Sequence, residues 1–146
     1  MMAHEMGHYV LNHLIVRIIE STLVIAASFA ILAAAFDRLR RTRPRWRIAS
    51  VGDVAGLPLL ALLFGAVQFV ATPVNNTITR VQEYEADIFG LNAARQPDGF
   101  AQAALDLSEY RKMSPSPLEE FIFFDHPSGR TRIFSAMRWK AEHLQR

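Results

Sequence analysis

The stretch LIVRIIESTLVIAASFAILAAAF, residues 14–36, decides the fold of this chain. Its only charged residues are Arg17 and Glu20, which lie three positions apart near one end and can pair on one helical face. At about 1.5 Å per residue, a helix of this length crosses the apolar core of a bilayer. A buried core helix is the alternative, but a domain of 146 residues is too small to surround such a helix. The stretch therefore predicts a membrane-spanning helix.

A second apolar segment lies further along the chain. The uncharged run VAGLPLLALLFGAVQFVA, residues 54–71, follows Asp53, which can cap a helix. Pro58 lies near the start of the run, where a helix tolerates proline best. The run is just long enough to span a bilayer, so we predict a second spanning helix over residues 53–73. Residues 37–52 then form a basic loop between the two spans.

The remaining segments also predict helices. Residues 1–13 form a short N-terminal helix, and residues 74–146 form a C-terminal helical part. Within that part we expect helices over about 76–94, about 98–113 with Asp98 as its cap, and about 130–144. SPSP at 114–117 is a loop, and the apolar stretch FIFF covers 121–124. Because strand patterns are nearly absent, the predicted fold class is all-α.

Composition narrows the range of functions. The chain contains no cysteine, so it has neither disulfides nor a cysteine-bound metal. The formal net charge is only +2, and six arginines against one aspartate are concentrated in the segment DRLRRTRPRWR, residues 37–47. A nucleic-acid-binding protein would carry a broad basic face, so we expect no nucleic-acid partner.

The N-terminal helix carries the motif His4-Glu5-Met6-Gly7-His8. Histidines four residues apart lie on one face of a helix and can bind one metal ion. Glu5, next to the first histidine, can take a proton from a water molecule at the metal and later deliver it to the leaving amine. The spacing therefore predicts a zinc site with His4 and His8 as ligands and Glu5 as general base and acid.

A catalytic zinc site holds three protein ligands, so one more is needed. The run Glu83-Tyr84-Glu85-Ala86-Asp87 offers carboxylates, of which Glu83 and Asp87 share one helical face while Glu85 points elsewhere. We predict Glu83 as the third ligand, Asp87 as an acceptor for the outer ring nitrogen of His4, and Arg80 as a residue that orients Glu83. Two spans separate Glu83 from His8, so the chain returns to the face where it began.

Three segments in this order resemble a known family: HEMGHYVLNH at 4–13, NTITRVQEYEAD at 76–87 and DHPSGRTRI at 125–133. Together with the two apolar segments, they look like the integral-membrane zinc metallopeptidases of the CAAX prenyl protease and HtpX type. The resemblance implies a gluzincin endopeptidase with one zinc ion held by His4, His8 and Glu83, and with Glu5 as catalyst. It also implies functional roles for Asn76, Arg80 and His126, the last facing the substrate or the developing oxyanion.

The chain also departs from the family pattern. Family members carry a long N-terminal part with further spans and a substrate-binding edge strand, and the expected residues before His4 are not in this sequence. We therefore expect an all-α, membrane-embedded, gluzincin-type metallopeptidase with two transmembrane helices that lacks the usual N-terminal part. The alternative is a truncated, non-catalytic membrane module that binds zinc.

The expected partners are a polypeptide substrate, the lipid bilayer and the missing N-terminal part of the same enzyme. We expect a multi-pass protein of a bacterial inner membrane. The positive-inside rule would make the basic segment 37–47 cytoplasmic, whereas the resemblance implies a cytoplasmic active site on the opposite face. We follow the resemblance. The substrate is either a prenylated C-terminus or a membrane protein under quality control, and the sequence leaves both open.

Overall fold

The computed structural model of the chain describes residues 2–108 and 112–144. Within these ranges six α-helices follow one another: α1 (Met2–Val10), α2 (His13–Thr42), α3 (Leu57–Ala94), α4 (Pro97–Leu107), α5 (Pro117–Phe123) and α6 (Gly129–Leu144). Two 3₁₀ turns, Pro44–Trp46 and Val54–Gly56, lie between α2 and α3. No β-strand occurs within the described ranges, so the all-α prediction is confirmed for them.

Helices α2 and α3 form a long antiparallel hairpin. Both are long and apolar enough to cross a membrane. Of the most apolar 18-residue stretch of each helix, only 6% in α2 and 11% in α3 is buried within the chain. A core helix of a soluble protein would be mostly covered, so the apolar surface of this hairpin faces outward.

Helix α2 extends further than the sequence predicted. It runs to Thr42, six residues beyond the end of the apolar stretch and into the segment assigned to a basic loop. Asp37 pairs with Arg40 and with Arg41, and these contacts at spacings of three and four residues stabilise an additional helical turn. After the 3₁₀ turn of Pro44–Trp46, Asp53 accepts a hydrogen bond from the backbone N–H of Ala55 and caps the 3₁₀ turn Val54–Gly56, whereas α3 begins at Leu57 without a side-chain cap.

Helix α3 is continuous where the sequence predicted a break. Pro73 lies inside it and joins the apolar half to the half that carries the EYEAD run. A proline removes one helical hydrogen bond, but packing against neighbouring helices can hold the helix together. The hydroxyl of Thr77 donates to the carbonyl of Pro73 at 2.7 Å and adds a side-chain hydrogen bond just after the proline.

The predicted pair between Arg17 and Glu20 is wrong, because both side chains bind α3 instead. The guanidinium of Arg17 donates to the hydroxyl of Thr79, and Glu20 accepts a hydrogen bond from Gln82 at 2.8 Å. Contacts across the hairpin satisfy these polar groups better than a pair on one exposed helical face would. They also fix the register between the polar ends of α2 and α3.

The C-terminal helices pack around a small core. Leu91 of α3 and Ala136 and Trp139 of α6 are buried together, and the indole N–H of Trp139 donates to Asn92 at 2.7 Å. Helix α4 begins at Pro97 and ends at Leu107, and Lys112 and Met113 are not helical, so the predicted end near residue 113 is wrong; residues 109–111 lie outside the described residues. Asp98 lies inside the first turn and binds Lys140 of α6 at 2.7 Å, so it does not cap the helix.

Helix α5 orders the segment ahead of the His-Pro motif. Ser116 and Glu119 form a capping box at its start, with the Ser116 side chain bound to the backbone N–H of Glu119. The helix runs to Phe123 and includes most of the predicted FIFF stretch. Ser128 then precedes α6, and its hydroxyl accepts from the backbone N–H of Thr131 at 3.3 Å. Residues 124–128 thus cross from α5 to α6 as a short loop beside α3.

Candidate metal centre

The site is built where α1 lies directly on α3. A Cβ atom at Gly7 would stand 3.1 Å from Cα of Ala86, and a Cβ atom at Gly90 would stand 3.2 Å from the backbone nitrogen of His4. Both positions therefore need glycine for the two helix backbones to approach this closely. The close approach sets the His-Glu-X-X-His turn of α1 against the EYEAD turn of α3.

Three of the predicted ligand side chains converge at this contact. The Nε2 atoms of His4 and His8 are 3.2 Å apart, and Glu83 places Oε2 3.4 Å from Nε2 of His4 and Oε1 3.5 Å from Nε2 of His8. A tetrahedral zinc site with ligand distances of about 2.0–2.1 Å has neighbouring ligand atoms about 3.3 Å apart. The donor set and its spacing therefore fit a single zinc-sized cation.

Asp87 supports His4 from behind. Its Oδ1 atom lies 2.8 Å from Nδ1 of His4, and its side chain is 2% exposed. The guanidinium of Arg132, on α6, donates to both oxygens of this carboxylate, at 2.8 and 2.6 Å. The buried aspartate is therefore paired on one side and oriented toward the histidine on the other.

Glu85 lies outside the cluster of ligand atoms. Its Oε2 atom is 3.1 Å from Nε2 of His13, and its side chain is about half exposed. Glu83 and Glu85 stand two positions apart on α3, so their side chains leave the helix in different directions. The structure thus brings Glu83, and not Glu85, to the two motif histidines.

Glu5 lies beside the convergent ligand atoms on an open cleft. The cleft has a volume of about 310 Å³ and is lined by His4, Glu5, His8 and Glu83 from α1 and α3. Further lining comes from the end of α4 with Ser108, from Lys112 between α4 and α5, and from the loop between α5 and α6 with His126. The exposed Glu5 carboxylate therefore has access to any molecule that enters the cleft.

His126 reaches the same centre from the loop before α6. Its Nε2 atom is 3.5 Å from Oε2 of Glu83, and its Nδ1 atom is 3.0 Å from Oδ1 of Asp125. The side chain is 36% exposed and lines the cleft. The imidazole therefore lies between two carboxylates, and part of it is exposed to the cleft.

Asn76 and Arg80 contact the backbone of α5. The Asn76 amide donates to the carbonyl of Ile122 at 2.7 Å, and the Arg80 guanidinium donates to the carbonyls of Glu120 and Phe124 at 3.0 and 2.5 Å. We expected Arg80 to orient Glu83, but its guanidinium instead binds backbone carbonyls of the α5 segment. Carbonyl oxygens at the C-terminal end of a helix can accept further hydrogen bonds from a cationic donor, and here they take the Arg80 guanidinium away from the neighbouring carboxylate.

Burial and charge at the site shift the pKa values of its ligands. The hydrogen bond to Asp87, followed by that to Glu83, raises the pKa of His4 to about 9. Burial lowers the pKa of His8 below its ordinary value. Burial alone would raise the pKa of Glu83, but the hydrogen bond with His4 and the nearby charges of His126 and His8 together lower it. The centre is thus rich in negative charge and suited to a cation.

Two residues of the site escaped the sequence reasoning. Arg132 lies within the segment DHPSGRTRI, but nothing local links it to Asp87 on another helix. His13 closes the segment HEMGHYVLNH, but a position five residues after His8 points away from it on a continuous helix. Both residues lie within the segments that carry the family resemblance, and this was the available signal. Their contacts could not be predicted, because that of Arg132 depends on the packing of α6 on α3 and that of His13 depends on a helix break.

Comparison with known proteins gives one family and one curated relative. The family model described as "Peptidase family M48" matches residues 1–140. The "Uncharacterized metalloprotease YhfN" of Bacillus subtilis (strain 168) is 33% identical over 135 residues, which cover 90% of this chain and 32% of the relative. The chain therefore spans about a third of the length of that relative. No solved structure matches the chain.

Proposed function

The chain belongs to peptidase family M48, and from that membership we propose that it carries the catalytic centre of a membrane-bound zinc metalloendopeptidase of the CAAX prenyl protease and HtpX type. One observation carries the proposal. Ligand atoms of His4, His8 and Glu83 lie within 4.8 Å of one another, and Glu5 opens onto the same cleft. A metallopeptidase needs this combination of a three-ligand cation site and an adjacent carboxylate.

Zinc is the proposed metal because two imidazoles and one carboxylate form the ligand set typical of catalytic zinc sites. When bound, a zinc ion lowers the pKa of a water molecule and polarises the peptide carbonyl as a Lewis acid. The residues of the chain hold the cation and orient its ligands. His4, His8 and Glu83 hold the cation, while Asp87 accepts from the outer ring nitrogen of His4 and keeps its inner nitrogen directed to the centre.

Glu5 is the proposed general base and acid. Its carboxylate takes one proton from the attacking water and transfers a proton to the nitrogen of the departing amine. His126 faces the same cleft and donates a hydrogen bond to the oxygen that gains charge as the carbonyl is attacked. Asn76 and Arg80 act indirectly, because they hold the end of α5 from which the His126 loop continues.

The proposed substrates are membrane-associated polypeptides. The hairpin of α2 and α3 leaves large apolar side chains exposed along both helices, and a bilayer would cover them. The cleft opens beside the polar end of this hairpin, so a substrate held at the membrane surface could reach Glu5. Processing of prenylated C-termini and removal of damaged membrane proteins are both compatible with this geometry.

The first experiment measures metal content and cleavage together. We expect the detergent-purified chain to bind about one zinc ion and to cleave fluorescein-labelled casein, an unfolded polypeptide. Glu5→Gln should retain the zinc and reduce the cleavage rate by about 100-fold or more, because an amide cannot accept the proton. Tyr9→Phe, an exposed change on the same helix, is the matched control. Undiminished cleavage by Glu5→Gln would contradict the mechanism.

A non-catalytic zinc-binding membrane module is the alternative function. It predicts one zinc ion per chain and no cleavage by either the unchanged chain or the Glu5→Gln variant. The absence of bound zinc would contradict both proposals. Cleavage that depends on zinc and on Glu5 would exclude the alternative.

We propose further that the protein is a multi-pass protein of a bacterial inner membrane with its active site on the cytoplasmic face. Because the chain contains no cysteine, single cysteines report topology without background. In intact cells with a permeabilised outer membrane, Ser50→Cys in the α2–α3 connection should react with a membrane-impermeant maleimide. Gln102→Cys on α4 should be protected until the inner membrane is opened. The reverse pattern would place the active site outside.

A further inference from the structure

His13 occupies a buried position directly behind His8. Its Nδ1 atom lies 2.9 Å from Nδ1 of His8, and its Nε2 atom lies 3.1 Å from Oε2 of Glu85. The His13 side chain is only 6% exposed, so both of its ring nitrogens need partners within the protein. Both partners are side chains of the two helices that build the metal centre.

A break in the helix places His13 there. On a continuous helix, a residue five positions after His8 would lie about 140° around the axis from it. Asn12 instead adopts a left-handed conformation, with φ 55° and ψ 31°, and separates α1 from α2. Asparagine is among the few residues that enter this region readily. The turn brings the ring of His13 to 5.0 Å from that of His8, edge to face.

The hydrogen-bond chain has one assignment that satisfies every member when a metal is bound. Nε2 of His8 faces the centre, so its ring proton is on Nδ1 and is donated to Nδ1 of His13. His13 must then accept at Nδ1 and carry its own proton on Nε2. That proton is donated to the carboxylate of Glu85, which can only accept when ionised.

From this geometry, and resting on the proposed function, we infer that His13 is a positioning residue for the metal ligand His8, with Glu85 fixing the tautomer of His13. Histidine ligands generally donate their outer ring nitrogen to a partner that sets their orientation, and loss of that partner weakens metal binding. Here the partner of His8 is the imidazole of His13, and the carboxylate of Glu85 lies behind His13, one residue further from the metal centre. The chain Glu85–His13–His8 holds the ligand without adding a charge in direct contact with it.

The experiment measures zinc affinity by competition with a chromophoric chelator, using the full chain in detergent. His13→Phe fills the same space without an acceptor, and we expect it to lose about 10- to 100-fold in zinc affinity. His13→Asn retains an acceptor at the position of Nδ1 and should stay within about threefold of the unchanged chain. Glu20→Gln alters another polar contact between α2 and α3, with Gln82, and should leave the affinity unchanged.

A spectroscopic measurement separates positioning from a general effect on folding. In long-range ¹H–¹⁵N spectra of the zinc-loaded chain, His13 should show the tautomer protonated at Nε2 and His8 the tautomer protonated at Nδ1. Thermal unfolding of the metal-free His13 variants is compared with their zinc affinity. If His13 had only a structural role, its replacement would lower the thermal stability and leave the zinc affinity unchanged.

The outcomes separate the two proposals. If the unchanged chain binds no zinc, the proposed function fails. If it binds zinc and His13→Phe binds equally well, the role of His13 alone is overturned. Equal losses in His13→Phe and His13→Asn, or a His13 proton on Nδ1 in the zinc-loaded chain, would also overturn it. A loss in His13→Phe that His13→Asn largely restores supports it.

Discussion

His4 and His8 stand one helical turn apart on α1, yet their outer ring nitrogens meet different surroundings. Behind His4 lies Asp87, which is buried and held by two nitrogens of the Arg132 guanidinium. Behind His8 lies a second imidazole, that of His13, and the carboxylate of that chain is half exposed. We call these the His4 side (His4, Asp87 and Arg132) and the His8 side (His8, His13 and Glu85).

The pKa values of the two histidines differ as well. A hydrogen bond to the Asp87 carboxylate raises the pKa of His4 to about 9, whereas burial lowers the pKa of His8. On the His4 side a buried carboxylate is in direct contact with the ligand and makes it strongly basic. On the His8 side the group in direct contact with the ligand is an imidazole, and the Glu85 carboxylate lies beyond it. Two histidine ligands on one helix can therefore differ in basicity, because the neighbouring helices place different groups behind each.

Removing the ligand shared by both sides has the largest expected effect. Glu83 contacts the inner nitrogens of His4 and His8, so Glu83→Ala should reduce bound zinc to below about a tenth of an equivalent. Metal analysis of the purified variant provides the measurement. Glu85→Ala, two positions away, is the matched control and should keep most of its zinc under saturating conditions. Loss of zinc from Glu85→Ala with retention in Glu83→Ala would exchange the two assignments.

Breaking the His4 side should cost more stability than breaking the His8 side. Asp87→Ala leaves the guanidinium of Arg132 buried without its carboxylate, which costs about 3–5 kcal/mol. The free energy of unfolding of the metal-free chain, from denaturant titration in detergent, measures this loss. Glu85→Ala removes a half-exposed carboxylate but leaves Nε2 of the buried His13 without its partner, so it should cost about 1–2 kcal/mol, less than Asp87→Ala. Equal losses would remove the contrast between the two sides.

Separating α1 from α3 should weaken both sides together. In Gly7→Ala the new methyl group meets the backbone of Ala86 at 3.1 Å, and backbone atoms cannot move aside easily. We expect a loss of about 1–3 kcal/mol in unfolding free energy, together with weaker zinc binding. Gly65→Ala, in the apolar half of α3, meets nothing within 4 Å and should leave zinc binding unchanged. Unimpaired zinc binding by Gly7→Ala would show that the close contact is not needed.

The smallest expected effect is the pH dependence of the His4 side. Since the pKa of His4 is raised from 6.5 to about 9, the metal-free chain gains stability that is fully present below pH 6.5 and lost as the pH rises through 9. Zinc competes with that proton, so its affinity should rise about tenfold per pH unit between pH 7 and 8.5. Thermal unfolding of the metal-free chain and chelator competition provide the two measurements.

Asp87→Asn is the control for this pH dependence. The neutral amide should flatten both trends, because it no longer favours the protonated form of His4. A zinc affinity that is independent of pH in the unchanged chain would contradict the raised pKa. A pH dependence that persists undiminished in Asp87→Asn would assign it to another group.

Part of the site was predictable because helical spacing alone fixes it. Two histidines at a spacing of four must share a face of α1, and Glu83 and Asp87 must share a face of α3. Their separation along the chain by two apolar helices also indicated that both motifs meet on one side of a hairpin. The roles of Glu5, Glu83 and His126 as catalyst, ligand and oxyanion partner stay predictions until the experiments above are done.

Other features depended on packing between distant segments. The continuation of α3 through Pro73 contradicts local propensity, and contacts with neighbouring helices outweigh it. Arg80 was expected to bind Glu83, yet the carbonyls at the end of α5 take its donors. Asp98 likewise binds α6 and does not cap its own helix. In each case a long-range partner competes with a local one.

The sequence by itself determined the ligand types, their spacing and the apolar hairpin, because these follow from helix periodicity and from the length of uncharged segments. Only the tertiary structure decided what supports His8 and what holds Asp87 in place behind His4. The left-handed turn at Asn12 brings His13 behind His8, and the packing of α6 on α3 brings Arg132 to Asp87. Such contacts join residues that no local period relates, so they arise only when the helices pack.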